Sequence, residues 1–154
     1  MRELRSTLSV LDRLTNWDNP KSGTRTGDFE QIRESVRRHL NWLLNTRRSR
    51  GTELDDIPTL KGTILDYGLP DPASLSLDET AVQQEFAERI QEAIRLFEPR
   101  LTDVTVSPVT DGSTLAFRVR AVLDVEPAQE RVLFRAVLES STGRLSTQEI
   151  RPDA

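Results

Sequence analysis

The last third of the chain alternates apolar and polar side chains, and this period of two sets the class of fold. Apolar residues stand at every second position from Leu115 to Leu123 and from Val132 to Leu138, the spacing of strands that bury one face. Turn signals at Asp111-Gly112 and Ser141-Thr142-Gly143 separate the runs. We therefore predict an antiparallel meander with strands at 104–109, 115–125, 131–139 and 144–150.

Two longer segments earlier in the chain carry the helical period instead. Their apolar residues recur every three or four positions, so each would line one face of a helix. These residues are Phe29, Ile32, Val36, Leu40 and Leu43 in the first segment, and Val82, Phe86, Ile90, Ala93, Ile94 and Phe97 in the second. Helices followed by strands predict an α+β fold, with two long amphipathic helices packed on one face of a mostly antiparallel C-terminal sheet.

Capping signals and a connector set the limits of these helices. Asp28 with Gln31 predicts the start of the first, which reaches about residue 46, and Ser76 with Glu79 predicts a capping box for the second. The connector between them is rich in proline and glycine, and we predict only a brief strand in it, at 63–66.

Residues 1–27 differ in composition from the rest. Leucines at helical spacing are followed by a stretch rich in Asn, Asp, Pro, Ser, Thr and Gly, which predicts a short helix on a flexible tether. The short helix either packs back on the domain or serves a partner. The remainder, 28–154, is predicted to form a single α+β domain.

The composition argues against several classes of function. The chain has 154 residues, with 21 basic and 25 acidic side chains and a net charge of −4, so broad attraction to nucleic acid or anionic membrane is not expected. The absence of cysteine excludes disulfides and thiolate chemistry. Without an apolar run of membrane-spanning length, we expect a soluble cytoplasmic protein that does not insert directly into a membrane.

Catalytic chemistry finds little support. The only histidine, His39, flanks the apolar stripe of the first helix and has no second His and no Cys to complete a metal or acid–base site. Neither a nucleophile elbow nor a glycine-rich phosphate loop is present. We therefore expect a structural role for His39, no catalytic residue, no metal and no cofactor.

Trp42 lies off the apolar stripe of the first helix, on the side of Arg38 and Asn45. A tryptophan in that position is either packed under a loop or available as an interface anchor, a residue type enriched in binding hot spots. Arg38 could stack on the ring in either case. We favour the interface.

The tripeptide Glu98-Pro99-Arg100 forms the junction between the second helix and the sheet. Pro99 ends the helix and fixes a bend, while an acid in the last turn is unfavourable beside the negative end of the helix dipole and needs compensation. A rigid, paired charge at such a corner suits recognition of a partner. The alternative is an ordinary exposed ion pair, whose replacement would hardly matter.

Three strings together resemble the TssE family of type VI secretion baseplate subunits, part of the phage baseplate wedge family often labelled "lysozyme-like". They are Trp42-Leu43-Leu44-Asn45-Thr46-Arg47, Tyr67-Gly68-Leu69-Pro70-Asp71 and Glu98-Pro99-Arg100-Leu101. The resemblance runs from about Leu8 to Ile150. It implies a non-enzymatic baseplate component at the inner membrane, docked to the TssF and TssG wedge, with TssK as a further candidate partner. Trp42, Arg47, Glu98, Pro99 and Arg100 would then be partner-binding residues.

The resemblance also implies that the protein starts the TssB/TssC sheath by pairing strands. The candidate strand is the polar last one, predicted at a sheet edge where backbone groups can accept another strand. Its residues are Arg144, Leu145, Ser146, Thr147, Gln148, Glu149 and Ile150. Charges on this strand could instead guard the edge.

Three alternatives stay open. One is the wedge protein of a contractile-tail phage-like particle, and another is a small adaptor with the same fold. The family label suggests the third, a cell-wall glycosidase, which needs a protonated carboxyl. Glu98 does not suit that role, because nearby Arg100 would lower its pKa where a general acid needs it raised.

Overall fold

The computed structural model describes residues 29–48, 57–125 and 128–150. These ranges contain two α-helices and one sheet of four antiparallel strands in the order β1-β2-β3-β4. The predicted α+β class and the antiparallel meander are confirmed. The elements are α1 Phe29–Asn45, α2 Thr80–Phe97, β1 Leu101–Asp111, β2 Thr114–Val125, β3 Ala128–Glu139 and β4 Arg144–Ile150.

The first strand begins earlier than the alternation of side chains predicts. β1 starts at Leu101, directly after the Glu98-Pro99-Arg100 corner, and its register with β2 shifts between Thr102 and Thr105. Asp103 lies in this irregularity with a φ of 50°, a value that Asp tolerates better than most residues. The extra residue interrupts the period of two, which is why the prediction started the strand at 104.

The predicted capping box at the start of α2 is wrong. The helix begins at Thr80, and Glu79 occupies the N-cap position without a side-chain cap. The chain makes a turn just before the helix, in which the Glu79 N–H donates to the Ser76 carbonyl at 3.1 Å. The proposed cap of α1 at Asp28 and the predicted helix and tether at 1–27 lie outside the described residues.

The brief strand predicted at 63–66 is also wrong, since Ile64–Asp66 forms a 3-10 helix. The Asp66 carboxylate accepts a hydrogen bond from the Gly62 N–H at 2.9 Å, and the Asp66 N–H donates to the Thr63 carbonyl at 3.0 Å. These local bonds satisfy the backbone without a neighbouring strand. Ile64 is 88% exposed, so the β-branched residue at this position does not indicate a buried strand.

One buried apolar cluster joins both helices to all four strands. Phe86 of α2 meets Phe117 of β2 edge to face, with ring centroids 5.3 Å apart. Aromatic pairs in this geometry add to the stabilisation from burial. The largest fully buried side chains are Phe86, Phe117, Phe134, Ile32, Leu40, Leu43, Leu44, Leu69, Ile90, Ile94, Leu123 and Leu145. In the described ranges, no helix is both long and apolar enough to span a membrane.

Candidate partner-binding site

Glu98 occupies the end of α2, where the predicted proline-fixed corner is present. The helix ends at Phe97, and the Glu98 N–H still donates to the Ile94 carbonyl at 2.8 Å. The Glu98 carbonyl then accepts from Leu101 N–H at 3.1 Å as β1 begins. Glu98 is only 2% exposed. The alternative of an ordinary exposed ion pair is therefore wrong.

Arg100 forms a fork with the buried carboxylate. Its Nε donates to Glu98 Oε1 and its second terminal nitrogen to Glu98 Oε2, both at 2.7 Å. Paired bonds of this kind are among the strongest that a carboxylate makes. The other terminal nitrogen donates to Ser35 Oγ of α1 at 2.9 Å. The guanidinium therefore ties the corner after α2 to the middle of α1.

His39 completes this cluster. Its Nδ1 lies 3.2 Å from a terminal nitrogen of Arg100 and 3.4 Å from Glu98 Oε2. We call Ser35, His39, Glu98 and Arg100 the corner cluster. The sequence pattern did not predict that Ser35 and His39 take part, although their spacing of four residues places them on one side of α1. Among the described residues, no group of His, Asp and Glu side chains could hold a metal ion.

The environment of Glu98 lowers its pKa. Burial alone raises the pKa, but hydrogen bonds from Arg100 and His39 and the positive charge of Arg100 outweigh that effect. The carboxylate is therefore ionised at neutral pH. This is the opposite of what a glycosidase acid requires, so the geometry supports the sequence argument against Glu98 as a general acid.

Acid should therefore destabilise the protein in part through Glu98. Because its folded-state pKa lies below the ordinary value of about 4.5, the stabilisation is complete above that value and is lost as pH falls through the folded pKa. We expect the difference in free energy of unfolding between wild type and Glu98→Gln to shrink below about pH 4.5. Urea titrations from neutral to acidic pH, with the exposed Glu88→Gln as control, measure it. A difference that stays constant with pH contradicts the expectation.

The other two strings of the resemblance meet directly. Leu69 N–H donates to the Thr46 carbonyl and Arg48 N–H donates to the Leu69 carbonyl, both at 2.9 Å, in a short parallel bridge between Arg47 and Leu69. Gly68 has a φ of +105°, and a Cβ there would lie 2.5 Å from the Thr46 carbonyl oxygen. Only glycine fits this close approach without a shift of the backbone.

Tyr67 links this bridge to the corner. Its ring meets Phe97 edge to face, with centroids 5.1 Å apart, and Phe97 directly precedes Glu98. The three strings that stand far apart in the sequence are therefore joined in space. This contact in the fold is a structural reason for the three strings to occur in one sequence.

Arg47 makes internal contacts. Its terminal nitrogen donates to the Gly143 carbonyl at 2.7 Å, and its Nε lies 3.6 Å from Asp71 Oδ1. These contacts hold the end of α1 against the turn before β4. About a third of the side chain stays exposed, and its predicted binding role stays a prediction.

Trp42 and Pro99 are exposed beside the corner cluster. Trp42 is 43% exposed, and its ring centroid lies 5.6 Å from that of His39. Pro99 is exposed beside the buried Glu98. An indole and a proline ring are thus exposed to solvent next to the corner cluster. Their role as binding residues stays a prediction.

The strand predicted for pairing, β4, lies at a sheet edge as expected. Its outer side is partly occupied by α1. The Asn45 side chain donates to the Leu145 carbonyl at 2.8 Å and accepts from the Leu145 N–H at 2.9 Å, as a neighbouring strand would. Arg37 also reaches the Thr147 carbonyl at 3.5 Å.

The opposite edge, β1, is occupied in the same manner by α2. Arg95 donates to the Val104 carbonyl and Gln91 accepts from Val106 N–H, both at 2.9 Å. Side chains that satisfy outward backbone groups protect an edge from unwanted pairing. Each helix thus protects the edge strand that it contacts.

Comparison with known proteins agrees with the grouping of the three strings. The profile of the family described as baseplate wedge protein gp25 matches residues 30–128, well over half of the chain. The match includes α1 except its first residue, the Tyr67–Asp71 string, α2 and the whole corner cluster. A search of curated proteins found no match. The predicted resemblance is confirmed, because this family includes TssE. The chain belongs to the baseplate wedge protein gp25 family.

Proposed function

We propose that this chain is a non-enzymatic baseplate component of a bacterial type VI secretion machine. In this role it docks to the TssF and TssG wedge on the cytoplasmic side of the inner membrane, with TssK as a further candidate neighbour. The observation that carries the proposal is the family match over residues 30–128, which covers all three strings. The family is a structural baseplate family, which supports a role in binding rather than catalysis.

The geometry suggests how docking works. The buried fork between Glu98 and Arg100 holds the corner rigid, so exposed Pro99 is presented in one conformation. Trp42 lies against His39 of the same cluster and adds a large apolar surface. A preorganised surface loses little conformational entropy on binding. We propose that Trp42 and Pro99 contact the wedge while the buried pair positions them.

We further propose that both helices cover a single face of the sheet, as the sequence predicts. The shared buried cluster supports this arrangement, because α1, α2 and alternate residues of the strands all contribute to it. The opposite face then remains available to a partner.

Sheath initiation would use the C-terminal part of β4, where Arg37 of α1 reaches the backbone only at the Thr147 carbonyl. Arg33 of α1 contacts the carboxylate of Glu149 and not its backbone. Alternate residues of a strand direct their backbone groups to the same side, so Thr147 and Glu149 point outward like Leu145. The Asn45 side chain already bonds the outward N–H and carbonyl of Leu145. We therefore propose that a TssB/TssC strand pairs with residues 147–150, with Arg37 moving from the Thr147 carbonyl.

Replacing Trp42 tests the docking surface. Trp42→Ala should weaken binding to a purified TssF–TssG complex by roughly 30-fold or more, the loss expected of a hot spot worth about 2 kcal/mol. Because the indole is half exposed, the thermal stability of the variant should change little. Biolayer interferometry measures the affinity.

The matched control is Ile64→Ala, which removes an apolar side chain that is 88% exposed on the connector. Wild-type affinity is expected for this control. Equal affinity of Trp42→Ala and wild type contradicts the docking surface. Failure of the folded wild type to bind TssF–TssG favours the wedge of a phage-like particle, which the family match also allows.

A further inference from the structure

The sheet face opposite the buried cluster carries a group of arginines. On β2 and β3 every second residue belongs to the core, and the residues between them point to the other face. Four of these are Arg118, Arg120, Arg131 and Arg135, which we call the arginine face. Arg120 and Arg131 are exposed, and the other two are half-buried.

The register brings like charges together. Arg118 of β2 stands directly opposite Arg135 of β3, while Arg120 is opposite Leu133 and Arg131 is opposite Val122. Like charges directly opposite each other on neighbouring strands destabilise a sheet. In the free protein this arrangement has a cost that uncharged side chains would avoid.

The negative charge on this face lies toward its ends, since the same alternation places Asp124 of β2 and Glu139 of β3 there. Arg135 lies 3.8 Å from a carboxylate oxygen of Asp111, whose side chain is 78% exposed. In the three described ranges, Arg118, Arg120 and Arg131 have no ion pair. On β1, the residues opposite Arg118 and Arg120 are Ser107 and Thr105, which carry no charge.

The chemistry of the face favours a protein over a polyanion such as nucleic acid. The chain as a whole carries a net charge of −4, which opposes long-range attraction to nucleic acid. Half-buried apolar side chains at Val122, Leu133 and Val137 separate the arginines. Arginine mixed with apolar residues, without lysine, is typical of protein interfaces.

We propose that the arginine face binds a carboxylate-rich surface of another protein subunit. The partner's acids would form forked bonds with Arg118 and Arg135 and relieve their mutual repulsion. The inference adds a second interface to the proposed function. Its test needs no wedge protein, so failure at this face and failure of wedge docking are distinguishable.

The test uses a fluorescein-labelled oligoglutamate peptide as the probe and the full chain in low-salt buffer. Anisotropy titration should show binding to wild type and a loss of roughly tenfold or more for the Arg118→Gln/Arg135→Gln variant, since each forked charge contact is worth about 1.4 kcal/mol or more. The same variant should have a higher Tm than wild type, because the opposed charges are gone. A merely structural role for these arginines would lower the Tm instead.

The matched control removes two charges elsewhere. Lys61→Gln/Arg89→Gln changes the net charge equally at exposed positions on the connector and α2 and should bind oligoglutamate like wild type. Equal loss in both variants, or no loss in either, overturns the proposal. Tighter binding of an oligothymidylate of matched charge, with the same dependence on Arg118 and Arg135, overturns the assignment to a protein partner.

Discussion

Replacing Glu98 by alanine is expected to lower the free energy of unfolding by about 2 to 4 kcal/mol. Removal of one partner of a buried ion pair typically costs about 3 to 5 kcal/mol, because the other charge is left uncompensated. The expected loss is somewhat smaller here, since the Arg100 side chain keeps 13% of its exposure and water can reach part of the guanidinium. Ser35 and His39 also lose the geometry that the fork maintains.

Urea denaturation of the full chain at neutral pH measures this loss. The matched control is Glu88→Ala, which removes an exposed carboxylate from the same helix and should change the stability by less than about 0.5 kcal/mol. A Glu98→Ala variant as stable as the control would mean that the corner cluster does not stabilise the fold.

The same geometry corrects one expectation about Arg100. The partner-binding role that the resemblance implies for Arg100 predicts that Arg100→Glu abolishes wedge assembly and leaves the fold intact. In the structure, the new carboxylate would lie against buried Glu98 and repel it. Loss of assembly in that variant therefore reports on folding as well as on docking. Trp42, which is exposed, provides the cleaner test.

Gly68→Ala is expected to destabilise the protein. A strained backbone conformation alone usually costs about 1 to 3 kcal/mol, and the clash with Thr46 adds to that cost. The positive φ of Gly68 disfavours any side chain, and the added Cβ would lie only 2.5 Å from the Thr46 carbonyl oxygen. That oxygen accepts the Leu69 N–H, so moving it weakens the bridge between two of the three strings. The Tm should fall by roughly 5 to 10 °C for a domain of this size.

Gly112→Ala provides the matched control for this prediction. Gly112 also has a positive φ, of 59°, but a Cβ there has no neighbour within 4 Å. The control therefore carries the conformational strain without the clash. Equal losses in Tm for the two variants would show that the close approach to Thr46 contributes nothing, contrary to the structure.

The period of the apolar residues predicted most of the fold. The stripe from Phe29 to Leu43 gave α1, and the alternation after Leu115 gave the meander, because burial of one face imposes a period that the sequence must follow. The errors fall where local hydrogen bonds decide the backbone. Asp66 favours a 3-10 helix over the predicted strand, and Asp103 accommodates the irregularity in β1.

The candidate site was predicted in part. Pro99 fixes the corner by local chemistry, so its position could be read from the sequence, and Trp42 could be placed off the apolar stripe by helical geometry. The partners of Arg100 could not be predicted from the sequence. Ser35 and His39 precede it by more than sixty residues, and only the packing of the helices brings them together. The burial of Glu98 follows from the same packing. Its own position, directly after the last residue of α2, suggests exposure instead.

The central claim is that this chain is a structural subunit that docks to the wedge. Co-expression of the full chain with the TssF and TssG proteins from the same genome, followed by size-exclusion chromatography with mass determination, tests it most directly. We predict a stable complex of defined composition that contains all three proteins and is lost on Trp42→Ala but not on Ile64→Ala. Elution of the folded wild-type chain separately from an intact TssF–TssG complex would contradict the claim.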